Sequence, residues 1–362
     1  MLFYLDESVV DAAETNKEVY NKLKELYYCW SHGLCIVSSS KKNFLRLVKI
    51  PGLEEYGYIQ KTVQGIQGIY ATLSFFVILY YNQKKNNSLS SYSNLSRDID
   101  ICSLKSMMSF AVNFLVCENV KDYDYYVWLT RQNNEFLLNQ KFSMNTMPFN
   151  GGGDTIGDSI NHIKQFFLLV ITDSDKKYEK ASLGGTAAKV AELIENLTYQ
   201  GVKTCWSYTM EVHEIENLIP IPLLKLVVGE KRMSIYDKIH NMEFGDTFLK
   251  YFDFKKGFRE SSFRKIKKNN YIQYSNYFDL LLQIGKNEKN LKAILRNKFK
   301  KGYDNEIVVG LGDTILGDVL SYLNTHKISS KDIIGYTYQI KEWNEISKRI
   351  WSIGCTVKPQ RL

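Results

Sequence analysis

Residues 166–172 (FFLLVIT) form an unbroken apolar run that ends on two carboxylates one residue apart, Asp173 and Asp175. Such a run reads as a buried strand. In open α/β sheets, ligands bind outside the C-terminal ends of the strands. Two aspartates just past such an end are placed to hold a divalent metal through oxygen ligands. Upstream, the stretch AVNFLVCENVKD repeats the arrangement. Residues 111–117 read as a strand, Glu118 follows it directly, and Asp122 lies one helical turn later.

The chain has 362 residues, enough for two or three domains. With 44% hydrophobic residues it is expected to fold rather than stay disordered. Its net charge of +8 permits nucleic-acid binding without demanding it. The six cysteines show no CxxC pair and no zinc-ligand spacing, which suits a reducing cytoplasm. The first residues carry no basic segment followed by a signal-type apolar run. The most apolar segment, residues 68–81, is shorter than the ~20 residues needed to span a bilayer, so a buried helix or strand is expected there. No membrane association is expected.

In chain order, residues 1–6 read as a strand ending in Asp6 and Glu7, residues 11–30 as a helix, 33–38 as a strand and 41–48 as a short helix. Acids after a first strand are loosely like a PIN-type nuclease centred on Asp6, but surface acids at a strand end give the same pattern. The polar residues 82–98 read as a linker that closes an N-terminal α/β region, 1–98. Residues 122–130 then read as a helix and 142–149 as a strand. That strand runs into Asn150-Gly151-Gly152-Gly153-Asp154, where backbone could approach a ligand closely. Residues 156–165 read as a helix before the strand at 166. After that strand, Lys176, Lys177 and Lys180 are either a solvated loop or a source of charge for phosphate. Thr186 is a candidate N-cap for a helix over 187–197. The P-loop pattern GxxxxGK[ST] is absent. Residues 203–212 read as a strand followed by His213, Glu214, Glu216 and Asn217.

Beyond Pro222 the composition shifts. Residues 250–301 hold fifteen Lys/Arg against four Asp/Glu, interleaved with Tyr251, Phe252, Phe254, Phe258, Phe263, Tyr271, Tyr274, Tyr277, Phe278 and Phe299. Basic side chains can displace counterions from a phosphate backbone, and aromatics can stack on unpaired bases. The competing reading is a helical region with solvated lysines around a Phe/Tyr core. Residues 307–323 and 328–351 read as closing helices, giving a basic, aromatic, mainly helical region over 223–362.

Glu118 after one strand, Asp-x-Asp after a later one and a third acidic cluster after the next together resemble the TOPRIM family. That family includes topoisomerases, bacterial primases and OLD-type nucleases. FLVCENVKDYDYY resembles its opening strand, glutamate and helix, FLLVITDSD its Asp-x-Asp strand, and the glycine run the turn after its second strand. VHEIENLIP resembles the closing segment of TOPRIM-like nucleases from bacterial anti-phage systems. The likeness covers about residues 109–222. It implies a mostly parallel sheet flanked by helices over 99–222, with Mg²⁺, or Mn²⁺ in its place, held by Glu118, Asp122, Asp173 and Asp175. Glu214 or Glu216 would complete a second site, and Lys176 or Lys177 would assist electrostatically. The chain shows no topoisomerase tyrosine context, primase zinc module or Walker motif. An OLD-type protein carries its ATPase in the same chain, so here a separate ABC-type ATPase would supply it.

The resulting expectation is a cytoplasmic, metal-dependent nuclease acting on DNA or RNA, tRNA included, as the toxic effector of an anti-phage system. Self-association is left open. The alternative is a non-catalytic nucleic-acid-binding or scaffold subunit whose acids are structural.

Overall fold

The computed structural model describes residues 1–63, 73–83, 96–133, 142–163, 167–199, 205–296, 304–328 and 335–357. By its contacts the chain divides into two compact units. The first comprises Met1–Ile171, Val190–Tyr208 and Glu345–Leu362; the second comprises Thr172–Lys189 and Thr209–Asn344. The protein is α/β, with parallel sheets flanked by helices. In chain order the strands among the described residues are β1 (Leu2–Leu5), β2 (Ile36–Ser39), β3 (Phe76–Tyr80), β4 (Ser96–Asp100), β5 (Asn113–Cys117), β6 (Phe142–Met144), β7 (Met147–Asn150), β8 (Phe167–Thr172), β9 (Cys205–Thr209), β10 (Phe258–Arg259), β11 (Glu306–Val308) and β12 (Cys355–Val357).

Two four-stranded sheets organise the first unit, with orders β2-β1-β3-β4 and β7-β5-β8-β9. β1 pairs in parallel with β2 and β3, and β5 in parallel with β7 and β8. Every residue of β1 and β8 is buried, as parallel strands covered on both faces require. Phe3 of β1 meets Phe167 of β8 edge-on at 5.4 Å, so the two sheets share core contacts within this unit. Beneath the second sheet, Val116, Leu168 and Val170 pack with Ile156, Ile160, Val190 and Ile194.

Local chemistry redraws several of the expected elements. The helix expected over 11–30 is two helices, Glu7–Ala13 and Lys17–Ser31. Asn16 separates them, because its side-chain oxygen accepts from the N–H groups of Glu18 (2.9 Å) and Val19 (3.1 Å) and so starts a new helix. The strand expected over 142–149 is also two. β6 runs antiparallel to β12, while β7 joins β5 in parallel, and the Asn145 N–H between them donates to Gly354 O at 2.7 Å. The residues read as a linker, 82–98, extend into β4, and 84–95 lie outside the described residues. The boundaries read at 98 and 222 therefore fall inside β4 and inside the helix Ile221–Val228.

In the second unit, short helices surround an aromatic core. Phe248 packs on Phe252, Phe258 and Tyr277 at ring distances of 4.8–5.7 Å. β10 and β11 form an antiparallel ribbon, so the first part of the helix expected over 307–323 is strand and the helix begins at Ile315. Among the interleaved aromatics, Tyr251, Phe252, Phe254, Phe258, Phe263 and Tyr277 are buried. Their predicted availability for base stacking is corrected accordingly: they are core. Tyr271 is 69% exposed, and Phe299 lies outside the described residues. No helix among the described residues is long and apolar enough to cross a membrane.

Asp6, central to the PIN-type reading, is fully buried. It caps the helix Glu7–Ala13, with Oδ1 accepting from the Ser8 N–H (3.0 Å) and the Ser8 hydroxyl (2.7 Å). That gives it a folding role. Asp6→Ala is expected to cost about 1 kcal/mol or somewhat more, read as a lower melting temperature, whereas Asp6→Asn, which still caps, keeps most of the stability. Equal melting temperatures for the wild type and Asp6→Ala would remove the capping role.

Candidate acidic site of the second unit

β8 ends at Thr172, and the segment Asp173-Ser174-Asp175 leaves its C-terminal end. β9 ends at Thr209, and Met210 to Glu216 come directly after it. Backbone and hydroxyl bonds stitch the two segments together. Met210 N–H donates to Thr172 O (3.1 Å), Asp175 N–H donates to His213 O (2.8 Å), and the Ser174 hydroxyl donates to Val212 O. Asp175 has a left-handed backbone, φ 54°, a conformation aspartate tolerates better than most residues. Its carboxylate lies against Gly184, where any Cβ would collide with Asp175 Oδ2. Gly184 O accepts the first bond of the helix Gly185–Tyr199, so that helix starts earlier than expected. Thr186 sits inside its first turn and is not the cap.

The strand expected over 203–212 stops at Thr209, which leaves Val212 and His213 in a connection. Asn217, fully buried, anchors that connection to the segment around residue 250. Its Oδ1 accepts from the Glu214 N–H (2.9 Å), and its Nδ2 donates to Leu249 O (2.7 Å) and Phe252 O (2.8 Å). His213 N–H also donates to Lys250 O (3.0 Å). The chain around residue 253 is thereby held beside residues 213–216. Gln339 Nε2 donates to Asn217 O (2.9 Å) and Ile219 O (3.0 Å), and Trp343 Nε1 donates to Leu218 O (2.9 Å).

Around this frame the charges are dense. Glu214 and Glu216 are buried, and Lys255 Nζ bridges them at 3.0 Å and 3.2 Å. Burial, and then the Glu216 charge, push the Glu214 carboxyl up to about 7 against the pull of Lys255 and His213. Burial works to lower the Lys255 ammonium, but Glu214, Glu216 and also Asp173 outweigh it, so Lys255 is held charged. His213 Nε2 faces Asp253 Oδ2 at 3.8 Å, which is longer than a hydrogen bond. Burial favours the neutral Asp253 carboxyl, but His213 and the Lys256 N–H, 2.6 Å from Oδ1, with a smaller pull from Lys177, keep it below the ordinary range. His213, Glu214 and Asp253 each bring a donor atom within 4.8 Å of the others.

Asp173, Asp175, Lys177, Glu214 and Glu216 thus belong to the second unit, and Glu118 and Asp122 to the first. Glu118 directly follows β5, the parallel neighbour of β8. Asp122 is buried in the first turn of the helix Val120–Asn133, where it accepts from the Asn119 N–H (3.0 Å) and side chain (2.7 Å). In the glycine run, Gly151 N–H donates to Cys117 O (2.7 Å), and a Cβ there would meet Ile156 and Cys117 O. Close packing therefore accounts for that glycine.

Two residues of the site escaped the sequence reading, Asp253 and Lys255. Their signal is the alternation in Phe252-Asp253-Phe254-Lys255, in which both phenylalanines are buried and both charged residues are only partly buried. No family model, no curated protein and no solved structure matches this chain.

Lys255→Met leaves two buried carboxylates without their cation and is expected to cost about 3–5 kcal/mol. Adding Glu216→Gln should restore part of the lost melting temperature, and no recovery in the double variant would count against the shared ion pair. Asn217→Asp keeps the shape but turns an acceptor toward two carbonyls. It should lower the melting temperature by more than Asn217→Ala does.

Proposed function

We propose that this chain is a metal-dependent nuclease that hydrolyses phosphodiester bonds in DNA or RNA. The observation that carries the reading is the joining of two acid-bearing segments, after β8 and after β9, by the bond from Asp175 N–H to His213 O (2.8 Å). The order of acids also supports a TOPRIM-like identity: Glu118 after β5, Asp173 and Asp175 after β8, and Glu214 and Glu216 after β9.

The aspartate segment fits a hard dication. Its donors are oxygens, and Mg²⁺, which keeps several of its waters, needs few protein ligands. Gly184 leaves the Asp175 carboxylate room that any side chain would fill. When bound, Mg²⁺ or Mn²⁺ supplies Lewis-acid stabilisation of the phosphate oxygens and acidifies the attacking water. Asp173 and Asp175 hold the ion and orient it. Glu118 and Asp122 lie in the first unit and are tested separately. Lys177 makes no ion pair with a described residue, so its charge remains for the substrate phosphate. Lys255 is committed to Glu214 and Glu216. The likeness also makes the chain the toxic effector of an anti-phage system restrained by a separate ABC-type ATPase.

A second reading, a nucleic-acid-binding or scaffold subunit, is favoured by one observation. Lys255 already pairs with both Glu214 and Glu216 from within the chain, as a purely structural cluster would require.

Plasmid DNA and total RNA incubated with the protein in Mg²⁺, Mn²⁺ or EDTA separate the two readings. The nuclease should cut in either metal and not in EDTA. Asp173→Ala should abolish cutting, and Lys177→Ala should slow it by about 10²-fold. A fully active Glu118→Ala would remove Glu118 from the mechanism. Harmless high expression, together with no cutting in any metal, would overturn the nuclease. Nucleic-acid binding as tight in EDTA as in Mg²⁺, with no cutting in any metal, would establish the scaffold.

A further inference from the structure

His213 is a buried imidazole whose Nδ1 lacks a hydrogen-bond partner among the described residues. It is 3% exposed, Nδ1 has no partner, and Nε2 stops 3.8 Å short of Asp253 Oδ2. A buried polar atom left unpaired is costly, so the unpaired ring nitrogen calls for a partner. Its position is not accidental. The backbone of His213 is fixed on both sides, with its N–H on Lys250 O (3.0 Å) and its O taking the Asp175 N–H (2.8 Å).

The atoms facing His213 are carboxylate oxygens. A donor from Glu214 and one from Asp253 lie with a His213 nitrogen inside a 4.8 Å span. Around one metal ion, ligand atoms at ~2.1 Å stand about 3–3.5 Å from each other. The 3.8 Å gap between Nε2 and Oδ2 is too long for a hydrogen bond and only slightly wider than a shared ion needs. Asp253 is oriented from outside by the Lys256 N–H on Oδ1 (2.6 Å), and Glu214 by Lys255 Nζ on Oε2 (3.0 Å), the kind of support metal ligands receive.

We propose that His213, Glu214 and Asp253 form a binding site for one transition-metal dication, Mn²⁺ or Zn²⁺, separate from the aspartate segment. The imidazole sets the choice of ion. Nitrogen donors suit Mn²⁺ less than Zn²⁺ but both better than Mg²⁺, whose preference is for oxygen in a near-ideal octahedron. The site lies within the second unit and does not depend on whether the chain cuts nucleic acid.

The test uses the full chain, stripped with EDTA and desalted, then titrated calorimetrically with MnCl₂, ZnCl₂ or MgCl₂ and assayed for retained metal. The wild type should retain about one equivalent of Zn²⁺ and melt at a higher temperature with the ion than without it. His213→Ala and Asp253→Asn should each weaken binding by about tenfold or more and lose the rise in melting temperature. With Zn²⁺, Asp173→Ala and Asp175→Ala should keep the bound equivalent and the rise in melting temperature. Should His213→Ala fail to fold by circular dichroism, the neutral isostere Asp253→Asn decides alone. Unchanged Zn²⁺ affinity in Asp253→Asn, or an Asp173→Ala chain that takes Mg²⁺ as tightly as Zn²⁺, would overturn the site. Absence of cutting in any metal bears on the nuclease and leaves this titration untouched.

Discussion

The second unit's acidic site depends on one buried amide. Asn217 spends every polar atom of its side chain on backbone: Oδ1 takes the Glu214 N–H, and Nδ2 reaches the carbonyls of Leu249 and Phe252. Because those carbonyls belong to a segment more than thirty positions downstream, one side chain decides that residues 213–216 and 250–255 lie together. Gln339 and Trp343 hold the same turn from the other side through the carbonyls of Asn217, Leu218 and Ile219. A fully satisfied buried network of this kind fixes one geometry, and a half-satisfied one would be worse than an apolar core. Glu214 and Glu216 can be buried only because the frame carrying them cannot relax toward water.

Burying those glutamates creates a charge problem that the chain solves in part. Lys255 reaches both carboxylates, and the field of three acids keeps it protonated despite its own burial. Burial first, and then the Glu216 charge that one ammonium cannot fully offset, push the Glu214 carboxyl up to about 7. A proton on Glu214 and a dication beside it are two answers to the same excess of negative charge. They differ in their demand on His213: a proton on Glu214 leaves the imidazole unpartnered, and an ion gives it a role.

The strands that carry the acids are legible because each is a continuous apolar run with a carboxylate directly after it, as in β5 and Glu118 or β8 and Asp173. Parallel strands buried on both faces leave that signature wherever they occur. Features set by side chains acting on backbone are harder to see. Nothing in the composition separates an asparagine that starts a new helix, as Asn16 does, from one inside a helix. Likewise, Thr186 is a good capping residue in the wrong place, because Gly184 is already bound to Ser174 O and begins the helix. The basic-aromatic pattern misleads most at residues 252–255. Phe252 and Phe254 are core, and the informative residues are the charged ones beside them, Asp253 and Lys255. Their partners lie some forty positions earlier, a distance over which sequence periodicity carries no information.

Asp175 and His213 share more than proximity, and the sharing constrains any chemistry here. The bond from Asp175 N–H to His213 O joins the backbone of a D-x-D segment to that of an imidazole. Asp175 must adopt a left-handed φ to make it, and Gly184 must lack a side chain to accommodate the carboxylate that results. An ion that drew His213 toward Asp253 would therefore pull on the same peptide that orients Asp175. Rigid elements with a single arrangement transmit such displacements rather than absorb them. The left-handed aspartate, the side-chain-free glycine and the unpartnered histidine are each costly alone, and they meet at one hydrogen bond. Such costs gather where a site needs geometry that ordinary folding would not supply.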